Sequence, residues 1–177
     1  MGKSTELSAG AAVPSIATAS LAGMRCGVTG AGGSLGRALL LELHRHGAVP
    51  VALRHGGQDL VLDDNGSPLP VQTIWWQVGQ EQALEPQLQE LDVLVINHGI
   101  NRLGARDASA AAESLEVNLL SALRLLELFL AVAKPGDGRE LWVNTSEAEV
   151  NPALSPLYEI SKRALGQLLS LRRLDAC

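Results

Sequence analysis

Aromatic residues are nearly absent from this sequence: one tyrosine, one phenylalanine and three tryptophans in 177 residues. A core must therefore come from aliphatic side chains, and the position of the lone tyrosine calls for a reason. Cysteine is equally scarce. Cys26 and Cys177 have no metal-ligand spacing, which leaves no sequence basis for a metal site or a disulfide framework; they read as unpaired thiols of a reducing compartment, so a cytoplasmic protein is expected. Positive charge is not in surplus either. A formal net charge of -5 and the lack of a basic stripe argue against a nucleic-acid partner. Long apolar runs are missing as well. Residues 7–24, "LSAGAAVPSIATASLAGM", are uncharged but broken by Gly10, Pro14 and Gly23, too weak for a membrane span. With Glu6 near its start and no continuous apolar core, the segment does not fit a secretory signal. Residues 1–22 are thus expected to be a flexible leader, and 23–177 a single domain. The opening "MGKST" imitates the end of a phosphate loop but follows no strand, and Glu6 stands where N-myristoylation needs Ser or Thr.

From residue 24 short apolar runs alternate with longer stretches of helical period, the pattern of βαβ units around a parallel sheet. "MRCGVTG" reads as a first strand. "GSLGRALLLELHRHG" reads as a helix with Leu35, Ala38, Leu39 and Leu43 on its apolar face and Gly47 as its C-cap. "VPVALR" gives a second strand. Two β-rich runs then flank Asp64, Asn65 and Gly66, which predicts a hairpin ahead of a third parallel strand at about 71–78. A helix near 80–90, a fourth strand in "DVLVINHG", one long helix over 110–134, a fifth strand in "ELWVNTS" and a last helix after Pro156 complete the chain. The fold class is α/β: a Rossmann-type doubly wound parallel sheet in three layers, with a β-hairpin inserted after strand two.

The loop "TGAGGSLG" lies between the first strand and the first helix, where a dinucleotide fingerprint belongs. Gly30 permits the tight turn and Gly36 close packing of helix on strand, while backbone amides at the helix N-terminus suit a pyrophosphate. Thr29, Gly30, Gly32, Gly33, Ser34, Leu35 and Gly36 are the candidate cofactor-binding residues of this loop. Tyr158 has Lys162 four positions after it, so on a helix the two share a face. A cation within ~4 to 6 Å lowers an acid's pKa by roughly 1 to 3 units, the kind of tuning that proton transfer at neutral pH needs.

Together these residues resemble the short-chain dehydrogenase/reductase family. Its phosphate loop, TGxxxGxG, is matched by Thr29, Gly30 and Gly36, with Ser34 in place of the middle glycine. Its NNAG segment after strand four appears as "INHG", keeping Asn97 and Gly99 and placing His98 as a structural variant near the cofactor. Within the family, "INHGIN" and "VNTSEAEVNPALSPLYEISKRALG" look like the dehydrogenase half of bifunctional sterol desaturase/short-chain dehydrogenases. The resemblance implies a catalytic tetrad of Asn118, Ser146, Tyr158 and Lys162. Tyr158 would be the acid/base for hydride transfer between carbonyl and alcohol. Lys162 would assist it and hold the nicotinamide ribose, Ser146 would bind the substrate oxygen, and Asn118 would position a water. Ser146 is one residue closer to Tyr158 than is usual, so Thr145 is kept as a stand-in for it; Glu147 and Glu149 could meet a cationic substrate group.

Dinucleotide folds that prefer NAD end strand two with an acid, whereas an Arg there accommodates a 2′-phosphate. That position is Arg54, so NADP is the expected cofactor, with NAD possible. The long helix near 112–133 and the last helix near 156–174 carry surplus apolar surface, and in the family such helices pair across a twofold axis, so a homodimer is expected. Ordinary members run on past the last helix into a further strand and a substrate loop. An oxidoreductase acting on a small carbonyl or alcohol is therefore set against an alternative, a dinucleotide-binding module without turnover.

Overall fold

In a computed structural model, which describes residues 20–133, 136–152 and 154–175, the five apolar runs are parallel strands of one sheet. The strands in chain order are β1 (Arg25–Thr29), β2 (Val49–Arg54), β3 (Val61–Asp64), β4 (Ser67–Pro70), β5 (Gln72–Trp75), β6 (Val93–Ile96) and β7 (Glu140–Val143). The sheet runs β5-β2-β1-β6-β7, and β3 and β4 form a separate antiparallel pair. Chain order reverses between β1 and β6, which creates the crevice at the strands' carboxyl ends where doubly wound sheets hold ligands.

Strand alternation distributes the core over two faces. Val51, Leu53, Leu94 and Ile96 point to one side, where they meet Leu84, Leu88, Leu125 and Phe129. Cys26, Val28, Ala52, Val93 and Val95 point to the other, against Leu40 and Leu43. Both sets are buried, which is why these runs lack polar alternation. Burial also pushes the Cys26 thiol up to about 11.

Helix α1 (Ser34–Arg45) begins and ends as predicted, with Gly47 at φ 81° and Ala48 N–H donating back to Leu43 O at 3.0 Å. Its buried face differs from the expected one. Gly36, Leu40 and Leu43 are buried, whereas Leu35 is 52% exposed and Ala38 faces solvent. The rotation follows from Gly36, whose bare α-carbon lies against the preceding loop: a Cβ there would sit 2.3 Å from Gly30 O.

The hairpin forms where the Asn-Gly pair predicted it. Asn65 at φ 54° and Gly66 at φ 84° are the two central residues of a primed turn joining Asp64 to Ser67. It covers the α1 face of the sheet through Leu60 and Leu62, and Arg45 ties it to α1 by an ion pair to Asp64 at 2.8 Å. The predicted helix near 80–90 is shorter than expected, a 3-10 turn (Glu81–Leu84) running into one turn of α2 (Glu85–Leu88). The predicted single long helix is also interrupted. α3 (Ala108–Leu115), capped by Asp107 accepting from Ala110 N–H at 2.9 Å, leads through a π turn (Glu116–Leu120) into α4 (Ser121–Val132). α5 (Pro156–Asp175) starts at its proline as predicted.

Of the expected leader, residues 1–19 lie outside the described residues, while Leu21 and Ala22 belong to a turn in which Met24 N–H donates to Leu21 O at 3.0 Å. No helix among the described residues is long and apolar enough to cross a membrane.

Candidate functional site

A cleft of about 860 Å³ opens at the strands' carboxyl ends. The β1–α1 loop supplies one wall with Gly30, Gly32, Gly33, Ser34, Leu35 and Gly36; Arg54 closes the end of β2; Asn97 and Gly99 follow β6; Tyr158 and Lys162 come from α5. Elements far apart in sequence thus bring eleven predicted residues to one space. The loop packs closely on the segment that follows β6. Gly30 has φ 64°, and a Cβ on it would lie 2.8 Å from His98 Cα. Gly33 caps α1 without a side-chain hydrogen bond, so the helix's first N–H groups are not covered by a capping side chain.

Thr29 lies beneath this wall, fully buried. Its Oγ1 accepts from the N–H groups of Asn97 at 2.8 Å and His98 at 3.1 Å, fastening the loop after β6 to the end of β1. Asn97 Oδ1 accepts from Asn144 Nδ2 at 2.9 Å, and Asn144 O accepts from Lys162 Nζ at 3.2 Å, so the fastening reaches α5. Lys162 is only 4% exposed, and burial lowers its pKa from the ordinary lysine range. Its ammonium lies 5.9 Å from the centre of the Tyr158 ring, as the shared helix face requires.

Asn118 is fully buried in the π turn behind the cleft. Its side chain pairs with the Ile100 backbone in both directions, at 2.7 and 2.9 Å, and donates to Ser161 Oγ at 3.0 Å. Ser161 in turn donates to Tyr158 O at 2.9 Å, so Asn118 joins the loop after β6 to the turn of α5 that carries the tyrosine. π turns are often found where a functional side chain must leave regular helical phase.

Ser146 stands apart from the main cleft. It caps a 3-10 turn (Glu147–Glu149) by accepting from Ala148 N–H at 3.2 Å, and it lines a neighbouring cavity of about 370 Å³. Tyr158 and Asn101 border both cavities, so the tyrosine sits at their junction. Thr145 is half-buried and lines neither cavity. Glu147 is on the smaller cavity, bonded to Asn151, while Glu149 lies on Gly166.

Sequence reasoning missed Trp76, Gln77 and Val78, which follow β5 on the cleft wall, and Asn101 and Asn144. The available signal for the first three was positional, since they stand just past the carboxyl end of a parallel strand. His98 is 9% exposed, and burial, reinforced by the Lys162 charge, pushes its pKa from 6.5 down to about 4. Trp76 packs edge-on against its ring at 5.1 Å. With its pKa at about 4, the histidine ring is uncharged at neutral pH.

The strand order, the glycine loop at the switch point and the helices on both faces are the fold of the short-chain dehydrogenases. Among the solved structures that align over most of this chain, three illustrate the likeness. An NAD+-bound short-chain dehydrogenase from Leptospira borgpetersenii gives a TM-score of 0.74 at 19% identity, over 89% of this chain and 67% of that one. The aldohexose dehydrogenase of Thermoplasma acidophilum gives 0.70 at 19% identity, over 88% of this chain and 62% of that one. An NADP complex from Burkholderia cenocepacia gives 0.69 at 24% identity, over 88% and 67%. In sequence, the chain is 52% identical over 160 residues to the monoglucosyldiacylglycerol epimerase of Synechocystis sp. (strain ATCC 27184 / PCC 6803 / Kazusa). The aligned region is 89% of this chain but 39% of that relative's length. No protein-family model matches the chain.

Proposed function

We propose that residues 23–177 form the dinucleotide-binding and catalytic part of an enzyme that interconverts an alcohol and a carbonyl, with Tyr158 as acid and base. The observation that carries this reading is the meeting of Tyr158, Lys162 and the glycine loop on one cleft. The loop suits a pyrophosphate, because its glycines line the cleft at the start of α1, where no side chain caps the helix's first N–H groups. A nicotinamide dinucleotide, when bound there, supplies or takes up the hydride. Tyr158 accepts the hydroxyl proton as a carbinol is oxidised and returns it as the carbonyl is reduced. The buried Lys162 ammonium places a positive charge beside the ring while the proton is away. Ser146 faces the substrate from the smaller cavity, and Asn118 holds the α5 turn in register.

The relative's name supports a narrower substrate. An epimerase can take hydride from a carbinol carbon and the proton from its hydroxyl, then return hydride to the opposite face of the carbonyl and the proton to its oxygen, and one tyrosine serves both halves. We therefore take a hydroxyl of a glycolipid head group as the reacting site.

Arg54 supports NADP(H) over NAD(H). Its guanidinium stacks 5.6 Å from the Trp75 ring centre, donates to Gln58 O at 3.0 Å and lies 3.3 Å from where a Cβ of Gly32 would be, beside the phosphate loop. A planar fork in that place suits a 2′-phosphate. Exposed Leu120, Leu130, Ile160 and Leu171 on the helices around α4 and α5 support a homodimer. The buried thiol supports a reducing, cytoplasmic setting.

The test uses the full-length protein with monoglucosyldiacylglycerol and either NADP+ or NAD+, the oxidised form that takes up hydride in the first half-reaction, and titrates NADPH and NADH for binding. Expected are epimer formation, tighter NADPH binding, and loss of turnover in Tyr158→Phe with cofactor affinity kept. A Tyr158→Phe enzyme as fast as the wild type, or a wild type that binds neither dinucleotide, would overturn the reading.

A further inference from the structure

Behind the cleft, buried polar side chains form an unbroken line, and two of them, Glu81 and Ser121, belong to no motif in the sequence. Glu81, Ser121, His98 and Thr29 are each at most 9% exposed. Ser121 Oγ lies 2.6 Å from Glu81 Oε1 and 3.2 Å from His98 Nε2, and His98 Nδ1 lies 2.9 Å from Thr29 Oγ1. The four come from the 3-10 turn after β5, the start of α4, the loop after β6 and the end of β1.

Proton directions along the line follow from what each group can donate. The Glu81 carboxylate also accepts from Arg124 Nε at 2.7 Å and from Gly79 N–H at 2.9 Å. Burial alone would raise its pKa, but bonds from Arg124, Ser121 and the backbone outweigh this and hold it down at about 2. It is an anion and can only accept. The single Ser121 proton therefore goes to Glu81, and Ser121 Oγ must accept from His98 Nε2–H. At the other end, Thr29 Oγ1 spends its lone pairs on the N–H groups of Asn97 and His98. Its own proton is left to donate, and Nδ1 at 2.9 Å is a nearer acceptor than Val95 O at 3.4 Å. A neutral imidazole carrying its proton on Nε2 meets both demands, whereas the other tautomer would leave Nε2 and Ser121 Oγ as two facing acceptors and turn the Thr29 proton away to Val95 O.

We propose that Glu81 and Ser121 lock His98 in the Nε2–H form, so that His98 aims the Thr29 hydroxyl and thereby positions the phosphate loop for its dinucleotide. His98 is then a positioning residue for cofactor binding, which rests on the nucleotide reading of the cleft given above. The mechanical link is short. A Cβ on Gly30, the first residue of the loop, would fall 2.8 Å from His98 Cα, so a shift at His98 is a shift of the cradle.

The test combines two readouts on the full-length protein: the ring-nitrogen NMR shifts of His98, assigned by their loss in His98→Asn, and dissociation constants for NADPH. Expected at pH 7 are a protonated Nε2 with a bare Nδ1, and affinity reduced about tenfold or more in Glu81→Gln and in His98→Ala. His98→Asn, which restores an acceptor facing Thr29, should recover most of that loss. Phe129→Leu, in the same core but off the line, should lower Tm and leave affinity unchanged, which separates positioning from general stability. A protonated Nδ1, or wild-type affinity in both Glu81→Gln and His98→Ala, would overturn the proposal. A wild type that binds neither NADPH nor NADH would instead sink the reading of the cleft and the positioning role with it, while the tautomer still decides the proton order on its own.

Discussion

Around Thr29, polar side chains are tied to distant parts of the chain; around Ser146 they are tied mostly to near neighbours. Thr29 bonds residues 97 and 98, and Ser121 reaches Glu81, spanning 40 to 69 positions. Ser146 bonds Ala148 two residues on, and Asn151 bonds Glu147 four residues back, although Ser155 does reach across to Asn101. Exposure follows the same division. Leu103, Val150 and Leu154, at 73%, 74% and 94% exposed, all belong to the Ser146 side of the molecule. Long-range ties cannot be broken singly without opening the sheet, whereas local ones can rearrange at small cost. Under the proposed function, the firmly tied wall would hold the cofactor and the looser one would admit and release the substrate.

Substitution should separate the two walls. Tyr158→Phe should have the largest effect, lowering turnover about 10²- to 10⁴-fold, the usual range for a general acid and base, with dinucleotide affinity and Tm unmoved. Steady-state rates and a binding titration decide it, and a parallel loss of affinity would show that the walls are not independent. Gly36→Val should do the reverse, since its side chain meets backbone at 2.3 Å. A loss of roughly 3 kcal/mol or more by urea unfolding is expected, together with loss of nucleotide binding.

Acid should act on the Thr29 wall first. Because His98 titrates at about 4 in the folded chain and 6.5 otherwise, the unfolded state binds more protons between those values. Stability should therefore fall as pH drops from 6.5 toward 4, by roughly 3 kcal/mol at ~1.4 kcal/mol per pKa unit. Glu81, folded at about 2 against an ordinary 4.5, extends the loss below that. His98→Asn should flatten the upper part of the curve, and an unchanged slope in that variant would assign the acid loss elsewhere. Arg54→Ala should cost about tenfold in NADPH affinity and little in NADH affinity, compared by two titrations. Smallest of all, Leu154→Ser at the exposed rim should change unfolding free energy by no more than about 0.5 kcal/mol. A larger loss would mean that the Ser146 wall is packed more firmly than its local bonds suggest.

Much of the Thr29 wall was legible in the sequence because its signals are local. A glycine loop between an apolar run and a helix, an Asn-Gly pair, a terminal Gly47 and a Tyr-Lys pair at helical spacing each act over a few residues. The π turn around Asn118 was not legible, because apolar residues on both sides of it keep a helical period. The rotation of α1 escaped for a related reason: Gly36, with no side chain, does not register as apolar, yet it defines the buried face. Glu81, Ser121 and His98 lie 23 and 40 positions apart in their two bonds, so only the folded sheet brings them together. Ser146 and Tyr158 do line one cavity, the smaller one, but the tyrosine also borders the main cleft, and no spacing in the sequence announces that junction.

The hairpin between β2 and β5 has a consequence for how copies of this molecule meet in a crowded solution. Residues flanking a two-residue turn exchange hydrogen bonds, and alternation then sends the N–H groups of every second residue outward. With Asp64 paired to Ser67, those outward positions on β4 are 68 and 70, and both are proline. A strand edge that would otherwise offer donors to any passing extended segment offers none at either position. The hairpin that covers this sheet face is thus a poor template for a foreign strand along β4, because only its carbonyls remain to pair.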